Sequence, residues 1–246
     1  MSTYVTTGLV LQVRAHQESS RLYTIYTRDF GKIEVMAAGS LKISSKLSPH
    51  LLPLNEVEIM VAHGKVRDRL AGAKLLRQLV SFTEPQDIIL GEGFLEVVAK
   101  FTGFGQLQAN LYDLLINSLL DLKDLPRDKV AWRDLARQKF FIFTYEVLKI
   151  SGLAPNYQNC EVCHEGLSEE TLFDWQLHGF VHNRCLVNKA HTARIDKAVQ
   201  IWLTKLSLGK IGDDLMPSSA LIFLNKYVAG QIGHELATLK VLKSVM

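Results

Sequence analysis

Cys160-Glu-Val-Cys163 and His182-Asn-Arg-Cys185 are two short turns, each offering a pair of metal-binding groups two residues apart, with eighteen residues between the turns. Tetrahedral zinc takes thiolate and imidazole ligands, and paired knuckles about fifteen to twenty residues apart match its usual spacing. Cys160, Cys163, His182 and Cys185 are therefore expected to hold one Zn2+ per chain. Four protein ligands leave no open coordination position, so the expected role is structural. His164 and His178 are the alternative fourth ligands, and His182 is preferred because it repeats the C-x-x-C gap. Cys160-x-x-Cys163-His164 also fits c-type haem attachment, which follows export, and an isolated C-x-x-C fits a thioredoxin-like pair, which needs a βαβ setting. Neither accounts for the second knuckle.

Something must bring the knuckles together. Leu172-Phe-Asp-Trp175 and His178-Gly-Phe-Val181 have the look of a small hairpin between them. Residues 156–189 carry few apolar side chains, whereas zinc binding by finger peptides is worth about 10–16 kcal/mol near neutral pH and a whole domain about 5–15 kcal/mol. The metal is expected to dominate the order of this segment.

The second chemical signal is charge. Residues 1–80 hold eleven Lys/Arg against six Asp/Glu, whereas residues 81–150 hold eight against ten and residues 151–246 nine against nine. The positive excess thus lies in the first third, which suggests a polyanionic partner for that region. Arg14, Arg21, Arg28, Lys32, Lys42, Lys46, Lys65, Arg67 and Arg69 are interleaved with Tyr4, Tyr23, Tyr26 and Phe30. Cations neutralise phosphates and aromatic faces stack on unpaired bases; strand aromatics also build cores, so one or two of the four are expected at a surface. Arg14, Arg21, Lys32, Lys42, Lys46, Arg67 and Arg69 are the candidate nucleic-acid-binding residues.

These cations sit on strand-like segments. Thr7–Ala15, Leu22–Thr27, Lys32–Met36, Glu56–Val61 and Leu70–Leu79 read as five strands, with Arg28-Asp-Phe-Gly31 a turn and Ala38–Pro49 a serine-rich loop. Five strands without a helical crossover suggest a small antiparallel barrel over residues 1–80 rather than a sandwich, and an SH3-like barrel would give much the same pattern. After Pro85 the apolar period lengthens. Ile88–Phe101, Leu107–Leu122 and Trp132–Ile150 read as amphipathic helices of a helical domain whose first part spans 81–155. In the third, Leu135, Phe140, Phe143, Val147 and Ile150 form the expected face, with Gly152 just past its end. Phe101, Phe104, Phe140, Phe141 and Phe143 are expected in the core. The metal-binding segment occupies 156–190, and helices return over 191–246 at Ile195–Leu208 and Ser219–Leu242, the latter capped by Ser218 or Ser219, with Gly230 and Gly233 marking a close approach or a break. The fold class is α+β and multidomain.

No run of eighteen apolar residues exists to span a bilayer, and Met1-Ser-Thr-Tyr-Val-Thr-Thr7 lacks a secretory pattern. With three cysteines committed to a metal site, a reducing cytoplasmic compartment is expected. No phosphate-cradling glycine loop, nucleophile elbow or carboxylate pair stands out, so no enzyme is expected.

These parts in this order resemble the bacterial RecO family of recombination mediators. The likeness is carried by Gly8-Leu-Val-Leu11, Glu18-Ser-Ser-Arg-Leu22, Thr27-Arg-Asp-Phe-Gly-Lys32, Gly39 with Ser45-Lys-Leu47, Ser151-Gly-Leu-Ala-Pro155 running into Cys160-x-x-Cys163, and Phe173-Asp174 before Gly179-Phe180. The resemblance implies an N-terminal OB-fold barrel, a helical domain with a zinc finger set within it, binding of single- and double-stranded DNA, and annealing of complementary strands. It also implies action with RecR and the single-stranded DNA-binding protein to load the RecA recombinase, in association with the nucleoid. An apolar pocket in the helical domain, with Lys205 and Lys226 as candidate cations, would receive the acidic, aromatic-ended tail of the single-stranded DNA-binding protein. The sequence departs from the family pattern at His182, where many members have cysteine, and at Ala38 and Leu41, where lysine and arginine are common. A zinc-ribbon RNA-binding or ribosome-associated module, a metal-dependent hydrolase and a scaffold without nucleic-acid contact are the rival readings.

Overall fold

The computed structural model describes residues 2–16, 20–38, 40, 49–81, 83–108, 110–167, 171–186, 188–212 and 214–245, the last four by backbone alone. The expected phosphate contacts Lys42 and Lys46, with most of their loop, lie outside the described residues.

The first third forms five strands, β1 (Thr3–His16), β2 (Ser20–Thr27), β3 (Gly31–Ala37), β4 (Asn55–Ala62) and β5 (Arg69–Gln78). They close in the order β1-β2-β3-β5-β4, with β1 long enough to pair with both β2 and β4. Every pairing is antiparallel except β3 with β5, which run parallel at Met36–Arg69. The result is OB-like. Side chains alternate across a strand, and β1 shows what each face does. Val10 points into the barrel with Tyr23, Ile25, Val35 and Ile59, whereas Leu9 and Leu11 join the core of the helical domain.

Three helices follow, α1 (Pro85–Phe101), α2 (Leu111–Leu120) and α3 (Lys129–Ile150). Pro85 stands in the first turn of α1, where its missing N–H costs nothing. Asp128 caps α3 by accepting from the amides of Val130 and Ala131. The far end of α3 closes in a Schellman turn: Gly152 N–H bonds Lys149 O at 3.1 Å and Leu153 N–H bonds Leu148 O at 2.7 Å, with Gly152 at φ +72°. A three-stranded sheet comes next, ordered β7-β6-β8, from β6 (Thr171–Asp174), β7 (Gly179–His182) and β8 (Thr192–Ala193). Helices α4 (Lys197–Ser207), α5 (Ser218–Ile232) and α6 (Ala237–Val245) complete the chain.

The structure corrects several expectations. The expected Ser219–Leu242 helix is two, because Gly233 takes φ +78° and ends α5, while Gly230 sits within α5 with open space around it. Neither Ser218 nor Ser219 caps α5; Pro217 holds that position and Ser219 Oγ donates to Asp196 instead. Leu135 is exposed, and the buried face of α3 runs through Trp132, Ala136, Phe140, Phe143 and Val147. Phe104 also lies in solvent, because α1 has ended at Phe101.

Polar pairs fasten the helices where apolar packing alone would let them slide. Asp87 of α1 is buried and accepts from Trp132 Nε1 at 2.9 Å and Arg127 Nη1 at 2.8 Å. Glu96 accepts from the amides of Ala237 and Thr238, satisfying the first turn of α6 from a neighbouring helix. No helix among the described residues is long and apolar enough to cross a membrane.

Candidate metal centre and nucleic-acid interface

The first knuckle begins where α3 has been turned back. Asn156 accepts from the amides of Gln158 and Asn159. Cys160 N–H then bonds Glu165 O at 2.8 Å and His164 N–H bonds Cys160 O at 2.9 Å, which folds Cys160–Glu165 into a tight loop with both sulfurs on one side. The second knuckle rises from the end of β7 through a single 3-10 turn, Asn183–Cys185. Glu161 N–H joins the two by bonding Phe180 O at 2.9 Å. Gly179 lets them close, since a Cβ there would meet the side chain of Glu161.

The outcome is a group of four ligand atoms, from Cys160, Cys163, His182 and Cys185, all within 4.8 Å of one another. His182 Nδ1 lies 3.3 Å from Cys163 Sγ, while its Nε2 lies 3.0 Å from Gly166 O. Donating the Nε2 proton to a carbonyl leaves the Nδ1 lone pair for an ion, the outer-shell arrangement usual for ligating histidines. Burial raises the Cys160 thiol, but the amides of Cys163, His182 and Val162 and the Cys163 side chain outweigh it, bringing Cys160 down to about 6. Burial pushes Cys185 up to about 11, together with hydrogen bonding to Cys163 and Cys160. Three thiols packed together cannot all ionise unless a cation compensates them. The four residues thus fit a soft tetrahedral ion, and they could hold one. His164 and His178, the alternative ligands, stand outside the group; both take positive φ, and His178 packs edge-on to Tyr227.

One expectation about this segment is corrected. Phe173 and Phe180 are fully buried and belong to the main core, with Phe173 5.0 Å from the ring of Phe223 and Phe180 5.8 Å from Tyr157. The hairpin is anchored by aromatic packing against α5, so a metal would govern the knuckles rather than the whole segment.

The expected cations of the barrel divide between two places. The end of β1, the end of β3 and the β4–β5 turn meet around a cleft of about 390 Å³ lined by His16, Met36, Lys65, Arg67 and Arg69, among others. Arg14 and Arg21 stand on the adjoining strands, where Arg14 faces Leu22 and Arg21 pairs with Ala15 and Ala37. Glu34 holds two of these cations, Arg14 at 2.8 Å and Arg67 at 3.3 Å. Sequence reasoning passed over Glu34, although its outward place in the Lys32–Met36 alternation pointed to this face.

The rest serve the junction with the helices. Lys32 is corrected: it is buried, its Nζ donates to Ala99 O at 2.7 Å and to Thr102 O, and it covers the ring of Phe104. Burial and nearby Lys100 lower its pKa from the usual lysine value. Arg28 pairs with Asp113 at 3.0 Å and lies over Tyr112, whose hydroxyl donates to buried Glu56 at 2.8 Å. Gly31 takes φ +65° where a Cβ would strike the Gln106 carbonyl, so this turn tolerates only glycine against the helical domain. Of the four aromatics, Tyr23 and Tyr26 are fully buried, while Tyr4 is half-buried against exposed Phe30, 4.5 Å away.

Residues 1–79 match the family described as Recombination protein O N terminal, and residues 88–237 match Recombination protein O C terminal. The chain belongs to the RecO family. The DNA repair protein RecO of Desulforamulus reducens is 25% identical over 248 residues, covering 97% of this chain and 93% of that protein. Those of Gloeobacter violaceus and Caldicellulosiruptor bescii are 29% and 26% identical, covering 79% and 75% of this chain and 73% of each relative.

Two more candidates lie on the helical side of this RecO-family chain. Lys226 Nζ sits 4.1 Å above the ring of Trp175 at a cleft of about 220 Å³ that also takes in Arg194, Ile195, Val199, Ile222 and Phe223. Lys205 is elsewhere, paired with Asp214 at 2.7 Å, and does not line this cleft. Sequence reasoning missed Trp175, Arg194 and Ile222 here, because they come from a hairpin, a loop and a helix that only the fold unites.

Proposed function

We propose that this chain is a non-enzymatic mediator of DNA repair that binds single- and double-stranded DNA through the barrel, anneals complementary strands and helps load the RecA recombinase on DNA coated with single-stranded DNA-binding protein. The reading is supported above all by the gathering of Lys65, Arg67 and Arg69 about one cleft of an OB-like barrel, with Arg14 joined to Arg67 through Glu34, in a chain of the RecO family. Phosphate neutralisation supplies affinity without reading sequence. Annealing needs no bond chemistry: cations screen one backbone from the other while the bases stay accessible. Lys42 and Lys46, which follow β3 in sequence, are further proposed phosphate contacts.

Zn2+ is the ion proposed for the four-residue group. It would be held by the thiolates of Cys160, Cys163 and Cys185 and by His182 Nδ1, serving as a structural tie between the knuckles. The cleft under Lys226 has an apolar floor and a cationic lip, the chemistry an acidic tail ending in an aromatic residue requires, so it is the proposed seat for the single-stranded DNA-binding protein. RecR is the further proposed partner, with a cytoplasmic, nucleoid-associated location.

The test is strand annealing with and without single-stranded DNA-binding protein on the strands, beside the Arg67→Ala/Arg69→Ala double variant. Wild type should accelerate annealing and the variant should not. Equal or tighter binding of RNA of the same sequence would favour an RNA-binding module, and no shift of an oligonucleotide even at low salt would leave only a scaffold. Zinc-dependent turnover of esters or phosphodiesters would instead reveal a hydrolase.

A further inference from the structure

The turn between β4 and β5 carries two cations, Lys65 and Arg67, on either side of Val66. Val66 is 97% exposed, more than any other large apolar side chain among the described residues, and it lines the basic cleft with its two neighbours. A lone surface valine is ordinary in itself. This one is held out on a stiff support. Asp68 accepts from the Gly64 amide at 3.3 Å and meets His63 Nδ1 at 3.2 Å, while its own carbonyl accepts from the Met36 amide at 3.0 Å and ties the turn to β3. A Cβ at Gly64 would strike the Arg67 carbonyl, so the two limbs of the turn approach as closely as glycine allows. Behind them the His63 ring packs 5.2 Å from Tyr4. Arg67 is shared with Glu34 of β3 at 3.3 Å. Valine adds stiffness of its own, because branching at Cβ restricts χ1. An apolar point therefore stands fixed between two cations at the edge of the cleft.

We propose that Val66 is a wedge that enters between neighbouring bases of a single strand while Lys65 and Arg67 hold the phosphates on either side. Apolar side chains inserted at a base step unstack it, and phosphate contacts set the register of such an insertion. The isopropyl group carries no hydrogen-bonding atom, so the wedge would act at any base step. In annealing it would interrupt the stacking of a strand on itself and leave the pairing edges of the bases open to a complementary strand. A duplex would have to unstack a paired step to admit the same point, at a cost of a few kcal/mol, so the single strand is the favoured occupant. Such a wedge deepens the annealing reading and rests on it for the identity of the polyanion.

The test uses the full-length protein and an adenine-rich single strand carrying 2-aminopurine, whose fluorescence rises when its neighbours unstack. Wild type should brighten the probe on binding. Val66→Ser should bind with the wild-type salt slope yet lose most of that rise, and its annealing of complementary strands should slow roughly fivefold, the loss of about one base contact. An unchanged melting temperature establishes that this variant folds. Val66→Ile should restore brightening and annealing together, whereas Arg67→Ala/Arg69→Ala should weaken binding and flatten the salt slope. Full brightening and annealing in Val66→Ser would overturn the wedge. Failure of Val66→Ile alongside Val66→Ser would overturn it too, by making the shape of the turn the cause. Wild type that binds the strand without brightening the probe would remove the wedge and leave the barrel reading intact. Wild type that binds no DNA would remove the barrel reading itself, and this inference with it.

Discussion

His182 Nε2 lies 3.0 Å from the carbonyl oxygen of Gly166, so that the opposite ring nitrogen faces the sulfurs of the two knuckles. That carbonyl belongs to the strand-like bridge that Gly166 forms with Asn159, three positions from Cys163 on one side and one from Cys160 on the other. The first knuckle therefore orients the ligand supplied by the second, and the group is preset by backbone geometry rather than by the side chains alone.

Removing the imidazole should therefore release the ion. His182→Ala and Cys163→Ala are expected to lose stoichiometric zinc by elemental analysis, whereas His182→Cys restores a four-ligand set and should retain it. Acid should strip the wild type as well, because the thiolates must take up protons to let the metal go. Since Phe173 and Phe180 anchor the hairpin in the main core, the metal-free protein should keep most of its helical circular dichroism while hydrogen exchange rises at residues 158–166 and 183–186. A full equivalent of zinc in Cys163→Ala would remove that residue from the site.

Lys32 should matter to stability and not to DNA. Lys32→Met keeps the apolar stem but deprives Ala99 O and Thr102 O at the end of α1 of their donor, a loss of about 1–3 kcal/mol that urea titration would measure. The pH dependence has a definite sign. The folded-state pKa is lowered by burial and by Lys100, so between that value and the ordinary 10.5 the unfolded chain binds the extra proton. Stability of the wild type relative to Lys32→Met should thus rise as pH climbs through this window. A parallel pair of pH profiles, or a fall in oligonucleotide affinity equal to that of the Arg67→Ala/Arg69→Ala double variant, would defeat this assignment.

Lys32 also shows where legibility ended. Strand periodicity placed it correctly on β3, and the two-residue gaps of the knuckles picked out the four residues that the structure gathers into a group that could hold a metal, because both signals depend only on neighbours in sequence. Which end of the barrel a cation occupies depends on closure: Met36 beside Arg69 brings one group to an open cleft, while Thr27 opposite Gly31 turns Arg28 and Lys32 toward α1 and α2. Phe104 and Leu135 were misplaced for a related reason. Phe104 follows the end of α1 at Phe101, so helical spacing no longer governs it. In α3, the small Ala136 is buried in the main core and Leu135 is left outward. The cleft shared by Trp175, Arg194 and Ile222 had no local signature at all.

Glu34 should restrain DNA binding. It faces both Arg14 and Arg67, and partly exposed pairs of this kind contribute little to stability, about 0–1 kcal/mol. Glu34→Gln should leave the melting temperature nearly unchanged while releasing both arginines to phosphates. Single-strand affinity at low salt should rise, and the slope against log[salt] should steepen by about 0.7 for each phosphate gained. Weaker binding in Glu34→Gln would mean that the carboxylate positions the arginines for DNA instead of competing with it.

The apolar cleft beside Trp175 offers a separate test of partner binding. Ile222 is strongly exposed at its edge, so Ile222→Asp replaces apolar surface with charge at little cost to folding. An acidic peptide ending in phenylalanine should quench or shift the Trp175 fluorescence of the wild type on binding, because the ring lines the cleft beneath Lys226. Ile222→Asp should abolish that change through both lost contact and like-charge repulsion. Lys226→Ala should weaken it and flatten its salt dependence. Lys205→Ala should bind as wild type does, since Lys205 is tied to Asp214 away from this cleft. A peptide that binds Ile222→Asp as tightly as wild type, or that loses affinity only in Lys205→Ala, would place the acidic tail at another surface of the helical domain.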